Sequence, residues 1–293
     1  GRWFWAQRLA PHPRRARAGM QQVGAALTDW GVALACLASL AALWSRVRGL
    51  PRTPTWYSCF MGVYLAEGLA CFAGGFMWGG GENKTIRLMQ ELSPGAQVWG
   101  FVMILGMATE GLFLILASRA LSVPEGDGSF SRWRWLVAVA FVSSCAFYLL
   151  SVGANLPPSV TYQVLVALAA GLVDIAVTAA RSALASDDAF QRACWRRVLA
   201  GACLNLTGAA VLAGLDGDCT GACCITELMR WGPSPCRYGA VFPPGSSCPL
   251  PEWFNHAAVM HALAMLSCAV TVPGLCGLLE AGWEPQPRKP HHG

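Results

Sequence analysis

Charged residues are scarce in this chain of 293 residues. Asp, Glu, Lys and Arg make up 13% of it, against roughly 25% in soluble domains, whereas 55% of the chain is hydrophobic. A soluble fold cannot hide that much apolar surface from water. The chain also lacks the alternating apolar and polar residues of a membrane β-barrel. The composition therefore predicts helices that cross a membrane, without a separate soluble domain.

Histidine is also scarce, with only five in the chain. His12, His291 and His292 lie in the two tails, which leaves His256 and His261 in the apolar part of the sequence. A metal site built from three histidines therefore cannot form within the helices. On this ground we do not expect a zinc cofactor.

Seven apolar runs have about the length, ~20 residues, that crosses ~30 Å of hydrocarbon. They cover roughly residues 24–44, 55–78, 97–121, 133–154, 159–184, 194–215 and 253–279. The sequence thus predicts an all-α, polytopic membrane protein with a seven-helix bundle and a cysteine-rich loop between helices 6 and 7. The predicted domains are a basic tail at 1–23, the transmembrane domain at 24–279, which includes the loop at 216–252, and a second tail at 280–293.

The distribution of positive charge predicts the orientation. The loops between spans 1–2, 3–4 and 5–6, together with the C-terminal tail, hold 12 Lys and Arg, and the opposite loops hold 4. The positive-inside rule then places the N-terminus outside and the C-terminus in the cytoplasm, in the plasma membrane or another membrane of the secretory pathway. The five Arg of the N-terminal tail favour the opposite orientation, with the N-terminus in the cytoplasm. That acid-free, Arg-rich tail is also typical of transit peptides, so the inner membrane of a mitochondrion or plastid is the alternative.

The loop between spans 6 and 7 would lie on the outer side, where disulfides persist. It carries five cysteines: Cys219, Cys223, Cys224, Cys236 and Cys248. One of five must stay unpaired or bond outside the loop, which leaves fifteen arrangements. Zinc is the less favoured alternative, because the loop has no histidine and lacks the usual ligand spacing. Asn83, in a loop on the same side, begins an N-glycosylation triplet.

The start of the same loop has nearly the spacing of an EF-hand calcium loop. Oxygen-bearing side chains occupy positions 1, 3, 5 and 12, with a backbone carbonyl at position 7: Asp216, Asp218, Thr220, Glu227 and Ala222. Gly221 is at position 6, where such a loop turns sharply. The sequence therefore predicts a calcium site here, and the alternative is an acidic turn shaped by its disulfides.

Ionisable and polar residues also occur inside the apolar spans. They are Glu67, Glu110, Asp174, Asn205, His256 and His261. Charged groups in hydrocarbon are costly and usually face a cavity or a partner. Their depths, from ~4 to ~20 Å along the helices, would permit a polar column through the bundle. The alternative is that each bonds to a neighbouring helix and serves only packing.

The last span carries a family resemblance. Asn255-His256-Ala-Ala-Val-Met-His261-Ala-Leu, on the final helix, and Thr28-Asp29, which opens the first, resemble the seven-helix CREST superfamily of alkaline ceramidases and progestin and adipoQ receptors. The resemblance implies a zinc ion held by two histidines of the last helix and one of the second. Here the two histidines are five residues apart, and the second span has Glu67 but no histidine.

Two classes of function follow. The favoured one is a non-catalytic membrane component, an anchor or subunit whose partners are the lipid bilayer and other protein subunits. The alternative is a lipid-directed metal hydrolase or a ligand-binding receptor of the CREST type. Nothing in the sequence indicates a nucleic-acid partner.

Overall fold

A computed structural model describes residues 14–79, 94–122, 159–220 and 256–284, with single positions at 135, 138, 139, 142, 249, 250 and 254. Within these residues the chain forms helices and no strand. Six helices have defined bounds: α1 Arg14–Val47, α2 Thr55–Gly79, α3 Pro94–Ser122, α4 Ser159–Ala185, α5 Ala189–Thr220 and α6 His256–Glu280. The chain is therefore a helical protein over the whole of its described part.

Local sequence explains several of the helix ends. Asp188 caps α5, because its Oδ1 accepts hydrogen bonds from the backbone N–H groups of Phe190 at 2.6 Å and Gln191 at 3.1 Å. Gly49 and Gly282 follow the ends of α1 and α6 with φ of 103° and 60°, the left-handed conformation in which glycine carries no steric cost. A side-chain cap thus begins α5, and a glycine follows the ends of α1 and α6.

The six helices pack as a ring in which each contacts the next, and α6 closes the ring against α1. Helices α1 and α6 run parallel. Thr28, near the middle of α1, meets His261 near the start of α6, and Arg46, near the end of α1, pairs with Glu280 at the end of α6. Helix α2 runs antiparallel to α1, since its late residue Gly74 lies against Asp29. Helices α1, α2 and α6 are therefore mutual neighbours around α1.

Helices α3 and α4 also run parallel, and glycines bring them close together. A Cβ atom at Gly111 would lie 2.8 Å from the backbone nitrogen of Leu168, and one at Gly171 would lie 2.9 Å from the carbonyl oxygen of Gly111. Further along both helices, the hydroxyls of Ser118 and Thr178 are 2.9 Å apart. Small residues at such contacts let helix backbones approach closely, which is the usual packing of helices in membranes.

Five of the described helices contain a stretch long and apolar enough to cross a membrane. They are Ala26–Val47, Thr55–Phe76, Phe101–Ser122, Ala167–Ala185 and His256–Glu280. The outward face of α1 shows why lipid is needed, because its large apolar side chains Leu27, Leu34, Leu37 and Trp44 are 59 to 67% exposed. Such a continuous apolar face is unfavourable in water. The described helices are accordingly consistent with a helical membrane protein.

Aromatic packing fixes the end of the bundle at which α1 and α6 finish. The ring of Trp283 meets Trp56 of α2 and Trp195 of α5 edge to face, with centroids 5.7 and 5.0 Å apart. Trp56 and Trp195 are fully buried. Tryptophans commonly occupy the membrane interface, where the apolar core meets water. The half-exposed ion pair between Arg46 and Glu280 lies at the same end.

The helix bounds differ most from the predicted spans in α1 and α5. Helix α1 begins at Arg14, within the predicted tail, because a helix satisfies its own backbone and can continue beyond the apolar core. Helix α5 continues through Thr220, five residues past the predicted end at Leu215. Of the predicted fourth span, only Trp135, Ala138, Val139 and Val142 are described, and these are helical and exposed. A total of seven helices stays a prediction.

Candidate functional site between helices α1, α2 and α6

A buried acid, a histidine and a hydroxyl meet near the start of the apolar stretch of α1 and the start of α6. The Nε2 atom of His261 is 3.0 Å from Oδ1 of Asp29, and its Nδ1 atom is 3.0 Å from the hydroxyl of Thr28. Asp29 and His261 are 4% and 6% exposed. The imidazole is therefore held at both nitrogens, by a carboxylate on one side and a hydroxyl on the other.

The carboxylate of Asp29 faces the backbone of α2. A Cβ atom at Gly74 would lie 2.8 Å from Oδ2 of Asp29, so any larger residue at this position would push against the carboxylate. Oδ2 is buried and has no hydrogen-bond partner among the described residues. Asp29 thus has one oxygen committed to His261 and a second oxygen still able to accept a bond.

The hydroxyl of Thr28 has two described partners on opposite sides. It donates to the carbonyl oxygen of Gly24, one turn earlier in α1, at 3.0 Å. With its hydrogen placed there, the hydroxyl accepts from Nδ1 of His261, and with its hydrogen turned to the ring it donates to Nδ1 instead. Rotation of one hydroxyl therefore exchanges its donor role between Gly24 and His261.

A second cluster lies deeper on the same three helices. The Sγ atoms of Cys36 and Cys268 and a carboxylate oxygen of Glu67 lie within 4.8 Å of one another. Cys36 is on α1, Glu67 on α2 and Cys268 on α6, and all three are buried. Glu67 is one of the polar residues expected in the second span, whereas cysteine is an ordinary packing residue of membrane helices.

The two clusters are related by a constant offset. Cys36 follows Asp29 by seven residues, Cys268 follows His261 by seven, and Glu67 precedes Gly74 by seven. Seven residues of α-helix are two turns, or about 10.5 Å. The three helices therefore stack two layers at their common interface: an outer layer at Asp29, Gly74 and His261, and an inner layer at Cys36, Glu67 and Cys268.

The outer layer lies near the boundary of the apolar core. Asp29 is three residues inside the apolar stretch that begins at Ala26, and His261 is five residues inside the one that begins at His256. At ~1.5 Å per residue, these positions are about 4.5 and 7.5 Å deep. The inner layer is about 15 Å deep by the same measure, near the middle of a core of ~30 Å.

The other polar residues predicted within the spans have different surroundings. Glu110 of α3 is buried and close enough to Glu67 for electrostatic interaction. Asp174 of α4 is partly exposed and lies 3.9 Å from Arg119. His256 is buried at the start of α6, and Asn205 is half-buried on α5. Glu67, Glu110 and His261 thus lie toward one side of the ring, and Asp174 forms a separate pair.

The remaining predicted residues stay predictions. The backbone of Asp216, Asp218, Cys219 and Thr220 belongs to the last turns of α5, in place of the loop expected there. Others lie outside the described residues: Asn83, Ala222, Cys223, Cys224, Glu227, Cys236 and Cys248. The calcium site, the disulfides and the glycan therefore stay predictions.

Comparison with known proteins gave no relative. No protein-family model, no curated protein and no solved structure matches the chain. In its described part, the chain is a helical protein with five helices long and apolar enough to cross a membrane and with buried ionisable residues at the interface of α1, α2 and α6.

Proposed function

We propose that this chain is a membrane-embedded hydrolase that cleaves the acyl linkage of a lipid at its outer layer. The proposal rests on the contact of Thr28, His261 and Asp29. The hydroxyl of Thr28 lies within hydrogen-bond distance of the imidazole of His261, which lies within the same distance of the carboxylate of Asp29. A nucleophile beside a base that a third group orients is the general arrangement of covalent catalysis. The lipid-directed alternative is thus preferred here to the passive membrane component.

The depth of the outer layer supports a lipid as the substrate. Ester and amide linkages of membrane lipids lie where the hydrocarbon core meets the head groups, and Asp29 and His261 are about 4.5 and 7.5 Å inside that boundary. A soluble substrate would not need a site enclosed by three apolar helices. The CREST resemblance, which implies lipid substrates and ligands, supports the same class.

The roles of the three residues follow from their contacts. The hydroxyl oxygen of Thr28 attacks the acyl carbon while Nδ1 of His261 takes the hydroxyl proton. His261 then gives this proton to the leaving oxygen or nitrogen, so that the head group departs and an acyl ester remains on Thr28. Water, deprotonated by the same imidazole, cleaves that ester and restores the hydroxyl. Asp29 accepts the Nε2 hydrogen throughout and stabilises the charged ring.

The direction of α3 and α4 supports a seven-span topology within this proposal. Because these helices run parallel, the residues between 122 and 159 have to return the chain to the side on which α3 began. The predicted fourth span lies in this interval. An N-terminus outside then follows from the positive-inside rule, as the sequence predicts.

Changing Thr28 to Val tests the proposed nucleophile. The variant removes the hydroxyl and keeps the shape of the side chain, so we expect lipid hydrolysis by the protein in nanodiscs to fall at least about 100-fold. Thr109→Val is the matched control, because the hydroxyl of Thr109 likewise donates to a carbonyl of its own helix, that of Leu105 at 2.6 Å. Release of labelled fatty acid from ester-linked and amide-linked lipids is the measurement.

Three results would count against the proposal. Equal rates for Thr28→Val and wild type would exclude Thr28 as the nucleophile. Lipid retained by the wild type without turnover would favour the receptor. If the wild type neither retains nor hydrolyses any lipid, the chain belongs to the class of passive membrane components.

A further inference from the structure

The inner layer has no role in the proposed hydrolysis, yet it collects three potential metal ligands from three different helices. Cys36 is 0% exposed, Cys268 4% and Glu67 9%, so the cluster is out of reach of bulk water. Their sulfur and oxygen atoms lie within 4.8 Å of one another. We propose that Cys36, Glu67 and Cys268 bind one zinc ion in the middle of the membrane.

The distances fit such an ion. Zinc is held at about 2.3 Å by a thiolate and about 2.0–2.2 Å by a carboxylate, which places the ligand atoms of a tetrahedral site roughly 3.5–3.8 Å apart. From a spacing below 4.8 Å, the three side chains need to move by no more than about 1 Å each. Rotation about the side-chain bonds suffices, and the helices stay where they are.

The donor set selects the ion. Thiolates favour zinc and monovalent copper, whereas oxygen ligands favour calcium and magnesium. Two sulfurs exclude the hard cations, and the carboxylate of Glu67 makes zinc a better match than monovalent copper. Three protein ligands leave the fourth position of a tetrahedral zinc ion for another group.

A cation at this position would offset the electrostatic cost of the buried carboxylate of Glu67. A carboxylate at the centre of a membrane is costly, and neutral thiols are weak partners for it. A divalent cation compensates the carboxylate and the two thiolates together, and its binding releases their protons. The ion would also join α1, α2 and α6 at mid-depth, directly below the Asp29–His261 pair.

This site differs from the histidine set considered from the sequence. The argument against zinc concerned three histidines, and the cluster found here contains none. Two of its ligands, Cys36 and Cys268, are of a residue type that usually serves only packing in membrane helices. The zinc proposal does not depend on lipid hydrolysis, because metal content is measured without any substrate.

Metal analysis of the purified full-length protein tests the proposal. We expect about one zinc per chain after purification in detergent with reductant and without chelator. The variants Cys36→Ala, Cys268→Ala and Glu67→Gln should each retain less than one-tenth of it. Cys59→Ala is the matched control, since Cys59 is a buried cysteine of α2 outside the cluster, and it should keep the full amount.

A second measurement on the wild type covers the case in which a variant fails to fold. After removal of zinc, titration with Co²⁺ should produce the near-ultraviolet absorption of thiolate-to-cobalt charge transfer, saturating at one ion per chain. Absence of both zinc and this absorption would overturn the proposal. So would zinc that persists in both cysteine variants, copper in place of zinc, or a disulfide between Cys36 and Cys268 in the protein as isolated.

Discussion

His261→Ala is expected to lower the free energy of unfolding by about 3–5 kcal/mol, because it leaves the buried carboxylate of Asp29 without its partner. Oδ2 of Asp29 has no described hydrogen-bond partner, so loss of the imidazole would leave both oxygens unsatisfied. The same variant should abolish lipid hydrolysis, since it removes the proposed base. Denaturant unfolding in detergent micelles measures the first effect, and release of fatty acid measures the second.

Ser267→Ala is the control for this prediction. Ser267 is also a buried polar residue of α6, and its hydroxyl donates to the carbonyl oxygen of Gly201 at 2.9 Å. Loss of a neutral hydrogen bond costs about 1 kcal/mol. If His261→Ala costs no more than Ser267→Ala, the contact with Asp29 does not carry the charge compensation that we assign to it.

Gly111→Leu is expected to cost about 3 kcal/mol or more, because the new side chain would meet the backbone of α4. A Cβ atom at Gly111 already lies 2.8 Å from the nitrogen of Leu168 and 2.9 Å from the carbonyl carbon of Ala167. Backbone atoms cannot turn aside as a side chain does, so α3 and α4 would have to separate. Thermal unfolding of the purified protein is the measurement.

The matched control is Gly214→Leu in α5. A Cβ atom at Gly214 meets no atom of the described residues within 4 Å, and the change of residue is the same. Both variants replace glycine by a better helix former, which alone would stabilise a helix by somewhat less than 1 kcal/mol. The difference between them therefore reports the contact of α3 with α4. Similar unfolding temperatures for the two variants would contradict the close packing described here.

The membrane helices were predictable because each requires a long apolar run, which a single sequence displays directly. The order of the helices around the ring was not predictable, because no residue pattern along one helix specifies which helices pack against it. Gly111 and Gly171, which bring α3 and α4 together, look in the sequence like other glycines of the apolar spans. Even the ends were uncertain: α1 extends back to Arg14, since nothing compels a helix to stop at the edge of the apolar core.

The site was predictable in part. Glu67 and His261 stand out in the sequence because ionisable residues are costly in lipid. Cys36 and Cys268 do not, because cysteine is an ordinary packing residue of membrane helices. The signal that was missed is the repeated offset of seven residues, from Asp29 to Cys36 and from His261 to Cys268. That offset has meaning only once α1 and α6 are known to run parallel and in contact.

The contact between α1 and α6 at Asp29 and His261 is the central claim, and a double-mutant cycle tests it most directly. The cycle compares the unfolding free energies of wild type, Asp29→Asn, His261→Ala and the double variant, all in the same detergent. We predict a coupling of about 1–3 kcal/mol, with the double variant less destabilised than the sum of the single ones. If the losses of unfolding free energy of the two single variants add up to that of the double variant to within about 0.5 kcal/mol, Asp29 and His261 are not in contact.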